Sequence, residues 1–152
     1  GLVNIDIVNP RDFTKDSYKK IDDEPYGGGS GMVMMCQPFF DAIDYCISKS
    51  DSKPRIIFPS PRGEMLNHSI SSELSKEESI IFICGHYKGL DQRIIDKYVD
   101  LEISIGDYVL SGGELAAAVV SDAIIRLLPG VLNNESSALT DSFQDKLRVQ
   151  NT

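Results

Sequence analysis

Val3, Ile5 and Ile7 alternate with Asn4 and Asp6, a period of two that predicts a half-buried strand ending at Pro10. From Arg11 to Pro25 the chain is polar, gathers the acidic cluster Asp22-Asp23-Glu24 and runs into Tyr26-Gly27-Gly28-Gly29-Ser30-Gly31. That stretch reads as loop, and Met32 to Met35 after it as buried sheet. Beyond Pro38, the residues Phe39, Phe40, Ile43, Cys46 and Ile47 recur at three-to-four spacing, which predicts a helix to Lys49.

The next apolar positions come in short unbroken runs. Arg55 to Phe58 and Ser79 to Ile83 are brief and rich in isoleucine; such runs suit strands buried on both faces of a parallel sheet, and Leu101 to Ile105 is another short strand candidate. Between the first two, Asn67 to Glu78 is polar with Ile70 and Leu74 scattered through it, a surface helix, and Asp91 to Tyr98 predicts another. From Glu114 to Leu128 the residues Leu115, Val119, Ala123 and Leu127 form a stripe flanked by Val120, Ile124 and Leu128. A helix so nearly apolar all round belongs in the core or at a subunit interface, and Pro129-Gly130 ends it. Strands alternating with helices give an α/β fold, with a mostly parallel sheet and helices on both faces. Asn133 to Thr152 is polar and serine-rich, with Phe143 as its large anchor.

At 152 residues, 41% of them hydrophobic, the chain makes one domain with a real core. No run approaches the roughly 18 apolar residues of a membrane span, and the first residues lack a signal-peptide pattern. A soluble, cytoplasmic chain with no membrane partner is expected. Cys36, Cys46 and Cys84 are far apart and joined only by His68 and His86, so reduced thiols are expected rather than a zinc site. The net charge of −8 opposes binding nucleic acid by bulk attraction. Were RNA the partner, its basic surface would be local or supplied elsewhere.

Each of the three buried runs leads into a loop bearing glycine: Pro59-Ser60-Pro61-Arg62-Gly63, then Cys84-Gly85-His86-Tyr87-Lys88-Gly89, then Gly106 with Gly112-Gly113 just beyond. In open α/β sheets, ligands bind outside the carboxyl ends of the strands, where small residues let backbone groups approach them. The glycines of any one loop also suit a tight turn, but three such loops in one short domain point to a cofactor crevice. Neither a P-loop nor a Gly-x-Gly-x-x-Gly fingerprint is present.

Taken in order, Asp23-Glu24-Pro25-Tyr26-Gly27-Gly28-Gly29-Ser30-Gly31-Met32, Cys84-Gly85-His86-Tyr87, Ile105-Gly106-Asp107-Tyr108-Val109-Leu110-Ser111-Gly112-Gly113-Glu114-Leu115, Arg126-Leu127-Leu128-Pro129-Gly130-Val131 and Asp141-Ser142-Phe143 resemble the bacterial tRNA (guanine-N1)-methyltransferases. The resemblance runs from Asn9 to Phe143. It implies a deep trefoil knot of the SPOUT type, against the default for protein chains. It also implies a homodimer, S-adenosylmethionine as cofactor, and tRNA as substrate, methylated at N1 of the guanosine 3′ of the anticodon.

By position, the resemblance places the cofactor on Phe58, Ser60, Pro61 and Gly63 of the first loop, Gly85, Tyr87 and Lys88 of the second, and Ile105, Gly106, Tyr108, Leu110, Gly112 and Gly113 of the third. It makes Asp141 the general base and sets Arg126 near the guanine O6. Taken alone, Asp141 also reads as a cap or turn residue in its serine-threonine setting, and Arg126 as a helix-end cation. At His86 the family has His or Arg, which points to a pocket or interface role. Where the family carries glutamate in Gly-x-Tyr-Glu-Gly, this chain has Lys88. If that carboxylate pairs with the cofactor's ammonium, a lysine turns attraction into repulsion of about 1 to 4 kcal/mol at about 4 Å. No carboxylate cluster has metal spacing, and Mg2+ enters only through the family.

The resemblance further divides the chain into a catalytic domain over 1–132, lacking the family's first strand and helix, and a segment over 133–152 that is an interdomain linker or a mobile active-site segment. On the same resemblance, the family's C-terminal tRNA-binding domain is expected to be absent from these 152 residues. A second reading, prompted by Lys88, is a non-catalytic knotted module for dimerisation or RNA binding that has lost its cofactor.

Overall fold

The structure, a computed structural model, describes residues 1–20, 35–86 and 89–132, together with the backbone of 22–23 and 33–34. The first strands are a two-residue antiparallel pair, β1 (Asp22–Asp23) and β2 (Val33–Met34), joined by Asp22 opposite Met34. Helix α1 (Cys36–Lys49) follows, with Pro38 in its first turn, where a missing N–H costs no intrahelical bond. Strand β3 (Arg55–Met65) then leads through α2 (His68–Leu74), β4 (Ile80–Phe82), α3 (Gln92–Tyr98) and β5 (Leu101–Ser104) to α4 (Glu114–Ile125). The three later strands form a parallel sheet with β3 at its centre, Ile57 lying opposite Phe82 on one side and Leu101 on the other.

Adjacent residues of β3 face opposite ways, as the period of a strand requires. Ile56 packs with Phe39 and Ile43 of α1, Ile83, and Ile94 of α3. Ile57 packs with Ile70 and Leu74 of α2, Ile103 of β5, and Val120 and Ile124 of α4. The sheet is thus covered by two helices on each face, as expected from the sequence. Side chains start two of these helices: Asn67 Oδ1 accepts the Ile70 N–H at 2.9 Å for α2, and Asp91 Oδ1 accepts the Arg93 N–H at 2.9 Å for α3.

Several sequence expectations are corrected. Val3 to Ile7 is not a strand: Ile5 and Ile7 are exposed, and among the described residues no strand runs alongside. Alternation selects a face but cannot supply the partner whose N–H and C=O groups a strand needs. Instead Asn9 caps a single 3-10 turn, Pro10–Phe13. The acidic residues Asp22 and Asp23, read as loop, form β1. The helix expected over Asn67 to Glu78 is shorter and not superficial, since Ile70, Ser71 and Leu74 are buried. Helix α4 stops at Ile125 and buries Ala116, Ala117, Val120 and Ile124, so the named stripe lies largely outward: Leu115 is 66% and Val119 48% exposed.

The first glycine-bearing loop is an excursion within β3. Pro59 and Glu64 both lie opposite Ile103, so the chain leaves β5 after Pro59 and returns at Glu64, with the Leu66 N–H then donating to the Ser104 carbonyl at 2.8 Å. The glycine-rich loop read at 26–31 and the polar segment 133–152 lie outside the described residues.

Candidate functional site

At the carboxyl ends of the parallel strands the three loops enclose a crevice of about 550 Å³, within the range of small-ligand sites. One wall is Phe58 to Arg62 of β3, another Gly85, His86, Gly89 and Leu90, and a third Ile105, Gly106 and Tyr108 to Gly113. Of the residues expected to hold a cofactor, Phe58, Ser60, Pro61, Gly85, Ile105, Gly106, Tyr108, Leu110, Gly112 and Gly113 line it together. Gly63 does not; its backbone is pressed against Glu102 and Ile103 of β5 instead. Tyr87, Lys88 and Asp141 lie outside the described residues.

Backbone contacts set the shape of the crevice. The Gly113 N–H donates to the Gly85 carbonyl at 2.9 Å, and a Cβ on Gly113 would stand 3.2 Å from the Cys84 Cα. The second and third loops therefore meet with no side chain between them. His86 and Gly112 extend the contact as an isolated antiparallel bridge. In the third loop, the buried Ser104 hydroxyl accepts the Gly106 N–H at 3.2 Å and donates to the Gly106 carbonyl at 3.1 Å. One side chain thus fixes the turn, and the Tyr108 ring closes over Gly106. On the first loop, Ser60 Oγ accepts the Arg62 N–H at 3.2 Å.

Among the described residues, the charged and titratable groups that line the crevice include Arg62, Glu102, His86 and Tyr108, and His86 Nε2 pairs with Glu114 Oε1 at the start of α4. Desolvation raises the Glu114 carboxyl, but the His86 hydrogen bond, the Glu114 backbone N–H and the imidazole's charge outweigh it and hold the group below its usual range. Behind the contact of the two loops, burial and then the Glu114 charge push the Cys84 thiol up to about 11, so it stays protonated at neutral pH. No group of three or more His, Cys, Asp or Glu that could hold a metal ion occurs among the described residues. Among them, too, no helix is long and apolar enough to cross a membrane.

Arg126 does not line the crevice. It is the C-cap of α4, ten residues beyond the lining residue Ala116 and therefore roughly 15 Å along the helix axis at 1.5 Å per residue. Gln92 and Ile95 of α3 and Ala116 of α4 also line the crevice, although sequence reading did not select them. Helical spacing marks Ile95 only as apolar, and nothing in the residue types of Gln92 and Ala116 signals a site.

The profile of the family described as tRNA (Guanine-1)-methyltransferase TrmD matches residues 1–150. A tRNA (guanine-N(1)-)-methyltransferase of Christiangramia forsetii is 58% identical over 150 residues, covering 97% of this chain and 65% of that protein. Proteins of the same name from Flavobacterium johnsoniae and Ruminiclostridium cellulolyticum are 56% identical over 147 residues and 52% over 141. These cover 97% and 93% of this chain, and 65% and 60% of the relatives' lengths. The chain thus spans about three fifths of the curated relatives it matches.

Proposed function

Because the chain belongs to the tRNA (Guanine-1)-methyltransferase TrmD family, we propose that its crevice holds S-adenosylmethionine and that it serves methyl transfer to N1 of the guanosine 3′ of the anticodon in tRNA. The observation that carries this reading is the convergence of three glycine-bearing loops on one crevice of about 550 Å³, a volume that suits a nucleoside with a short side chain. The backbone groups of Ile105, Gly106, Tyr108 and Leu110 would take the adenine, and the side-chain-free surfaces of Gly85, Gly112 and Gly113 would admit the rest. The reading includes the SPOUT knot, a homodimer and the cytoplasm. Mg2+ belongs to this reading only through the family.

When bound, S-adenosylmethionine supplies an electrophilic methyl group. The residues of this chain have the remaining work. A neutral guanine N1 exposes its lone pair only as its proton leaves, so a carboxylate must accept that proton, the role assigned to Asp141. Negative charge then moves onto O6 and needs a fixed positive partner; the resemblance gives that role to Arg126, which stands at the far end of α4 from the crevice and would meet a guanine held outside the cofactor pocket. The walls of the crevice fix the direction of approach.

Calorimetric titration of S-adenosylmethionine into this chain and into Lys88→Glu tests the cofactor half. Binding by both supports the crevice as a cofactor site that tolerates Lys88. Binding by the variant alone favours the non-catalytic module. For the chemistry, Asp141→Ala should abolish transfer to tRNA and leave cofactor affinity intact; full activity in that variant removes Asp141 from the role.

A further inference from the structure

We propose that Glu114 is a positioning residue: through its hydrogen bond to His86 it clasps the loop after β4 to the loop after β5 and so sets the crevice between them. The inference rests on reading that crevice as the cofactor site. Glu114 does not line the crevice, whereas His86 and Gly112, the two residues it ties together, both do.

Three consecutive contacts form the seam. The Gly113 N–H meets the Gly85 carbonyl at 2.9 Å, His86 pairs with Gly112 as a bridge, and His86 Nε2 meets the Glu114 carboxylate. A carboxylate in the first turn of a helix is favourable even when it points into water. Here it folds back over Gly112 onto the imidazole, and Gly112 makes room for it: a Cβ at 112 would stand 3.0 Å from both Cε1 and Nε2 of His86. A glycine at 112 and a glutamate at 114 are therefore parts of one arrangement.

The pair is half-exposed, with side-chain exposures of 47% for His86 and 57% for Glu114. Exposed pairs add little to global stability, so the consequence is local. Without the clasp, the backbone bond from Gly113 to Gly85 and the His86–Gly112 bridge remain between the two walls, and the seam is looser by one of its three contacts. A ligand entering the crevice must then also order them, which weakens binding without touching the chemistry.

The test compares Glu114→Ala, His86→Ala, the double variant and His86→Arg. Amide hydrogen exchange of the cofactor-free chain should show faster exchange at Gly113 in either alanine variant, no further increase in the double, and no change at the core residues Ile57 and Val120. Affinity for S-adenosylmethionine should fall about 3- to 10-fold in each alanine variant, again without a further loss in the double. In the enzyme, Glu114→Ala, which removes no group that lines the crevice, should raise KM for the cofactor with kcat unchanged. His86→Arg should restore both readouts, because a guanidinium can donate to the same carboxylate. Unchanged exchange at Gly113, or losses that add in the double variant, overturns the clasp. Should the parent chain take up no S-adenosylmethionine, the cofactor reading falls, and the exchange measurement still decides the clasp.

Discussion

The backbone of Gly63 runs so close to Ile103 that a β-carbon at position 63 would stand 2.5 Å from the Ile103 nitrogen. The clash is with backbone of β5, which is held in the sheet and cannot swing aside. Gly63 is also the last residue of the excursion before β3 rejoins β5 at Glu64. Gly63→Ala should therefore destabilise the chain by about 1 to 3 kcal/mol, the usual cost of overpacking, and displace Arg62 and Pro61 from the crevice. A urea midpoint and a cofactor titration read both effects. A variant as stable as the parent would mean that β3 and β5 can separate at this point.

The same junction shows where the sequence stops being legible. The isoleucine runs at 55–58 and 79–83 mark two strands because a strand buried on both faces needs apolar residues at nearly every position, and at 101–105 Leu101, Ile103 and Ile105 alternate with Glu102 and Ser104, the period of a strand. The stripe Phe39, Ile43, Ile47 marks α1 for the corresponding helical reason. Whether Pro59 to Gly63 is loop or strand depends on β5, which lies some forty residues away in sequence, and no local pattern reports a partner so distant. For the same reason the alternation at Val3, Ile5 and Ile7 misleads. The site was legible as far as its glycines, which tell where backbone must come close; Gln92 and Ala116 reach the crevice only through the way α3 and α4 pack.

Cys84 lies behind the seam between the second and third loops, and burial, then the Glu114 charge, push its thiol up to about 11. The thiolate is the reactive form. Against a free cysteine near 8.5, the thiolate population at neutral pH is lower by roughly two orders of magnitude. Alkylation of Cys84 by iodoacetamide should be slower by about that factor, should accelerate as pH rises towards 11, and should be faster in Glu114→Ala. Labelling at the rate of a free thiol at pH 7 contradicts this environment.

Asp91 caps α3 and also holds Arg93, accepting from its Nε at 3.0 Å and from a terminal guanidinium nitrogen at 2.9 Å. The Arg93 bond, partly opposed by burial, lowers the Asp91 carboxyl from 3.8 to about 2. A carboxyl depressed in the folded state stabilises the fold above its unfolded value and loses that contribution as pH falls through the folded one. The contribution is at most about 2 kcal/mol and is reduced by screening at Arg93, whose side chain is 70% exposed. Asp91→Asn keeps a capping oxygen and should lose only this part, so its stability should change less than the parent's between about pH 5 and 2. Asp91→Ala also loses the cap, a further loss of about 1 kcal/mol at pH 7. Identical pH profiles of urea unfolding for the parent and Asp91→Asn would show that the Arg93 pair contributes nothing.

Helix α4 turns Ala117, Val120 and Ile124 into the core and leaves Leu115 66% and Val119 48% exposed on its outer side. These two residues are four apart, so their side chains lie on one face, and water gains nothing from meeting them there. In the proposed homodimer, a second copy of the chain would bury this face. Sedimentation should then give twice the 16.8 kDa of the chain, and Leu115→Glu with Val119→Glu should give the single mass. Because both side chains point away from the sheet, the double variant should keep the parent's circular dichroism and hydrogen exchange at Ile57. A dimer that survives both charges would place the subunit contact on another surface and leave the outer face of α4 without this role.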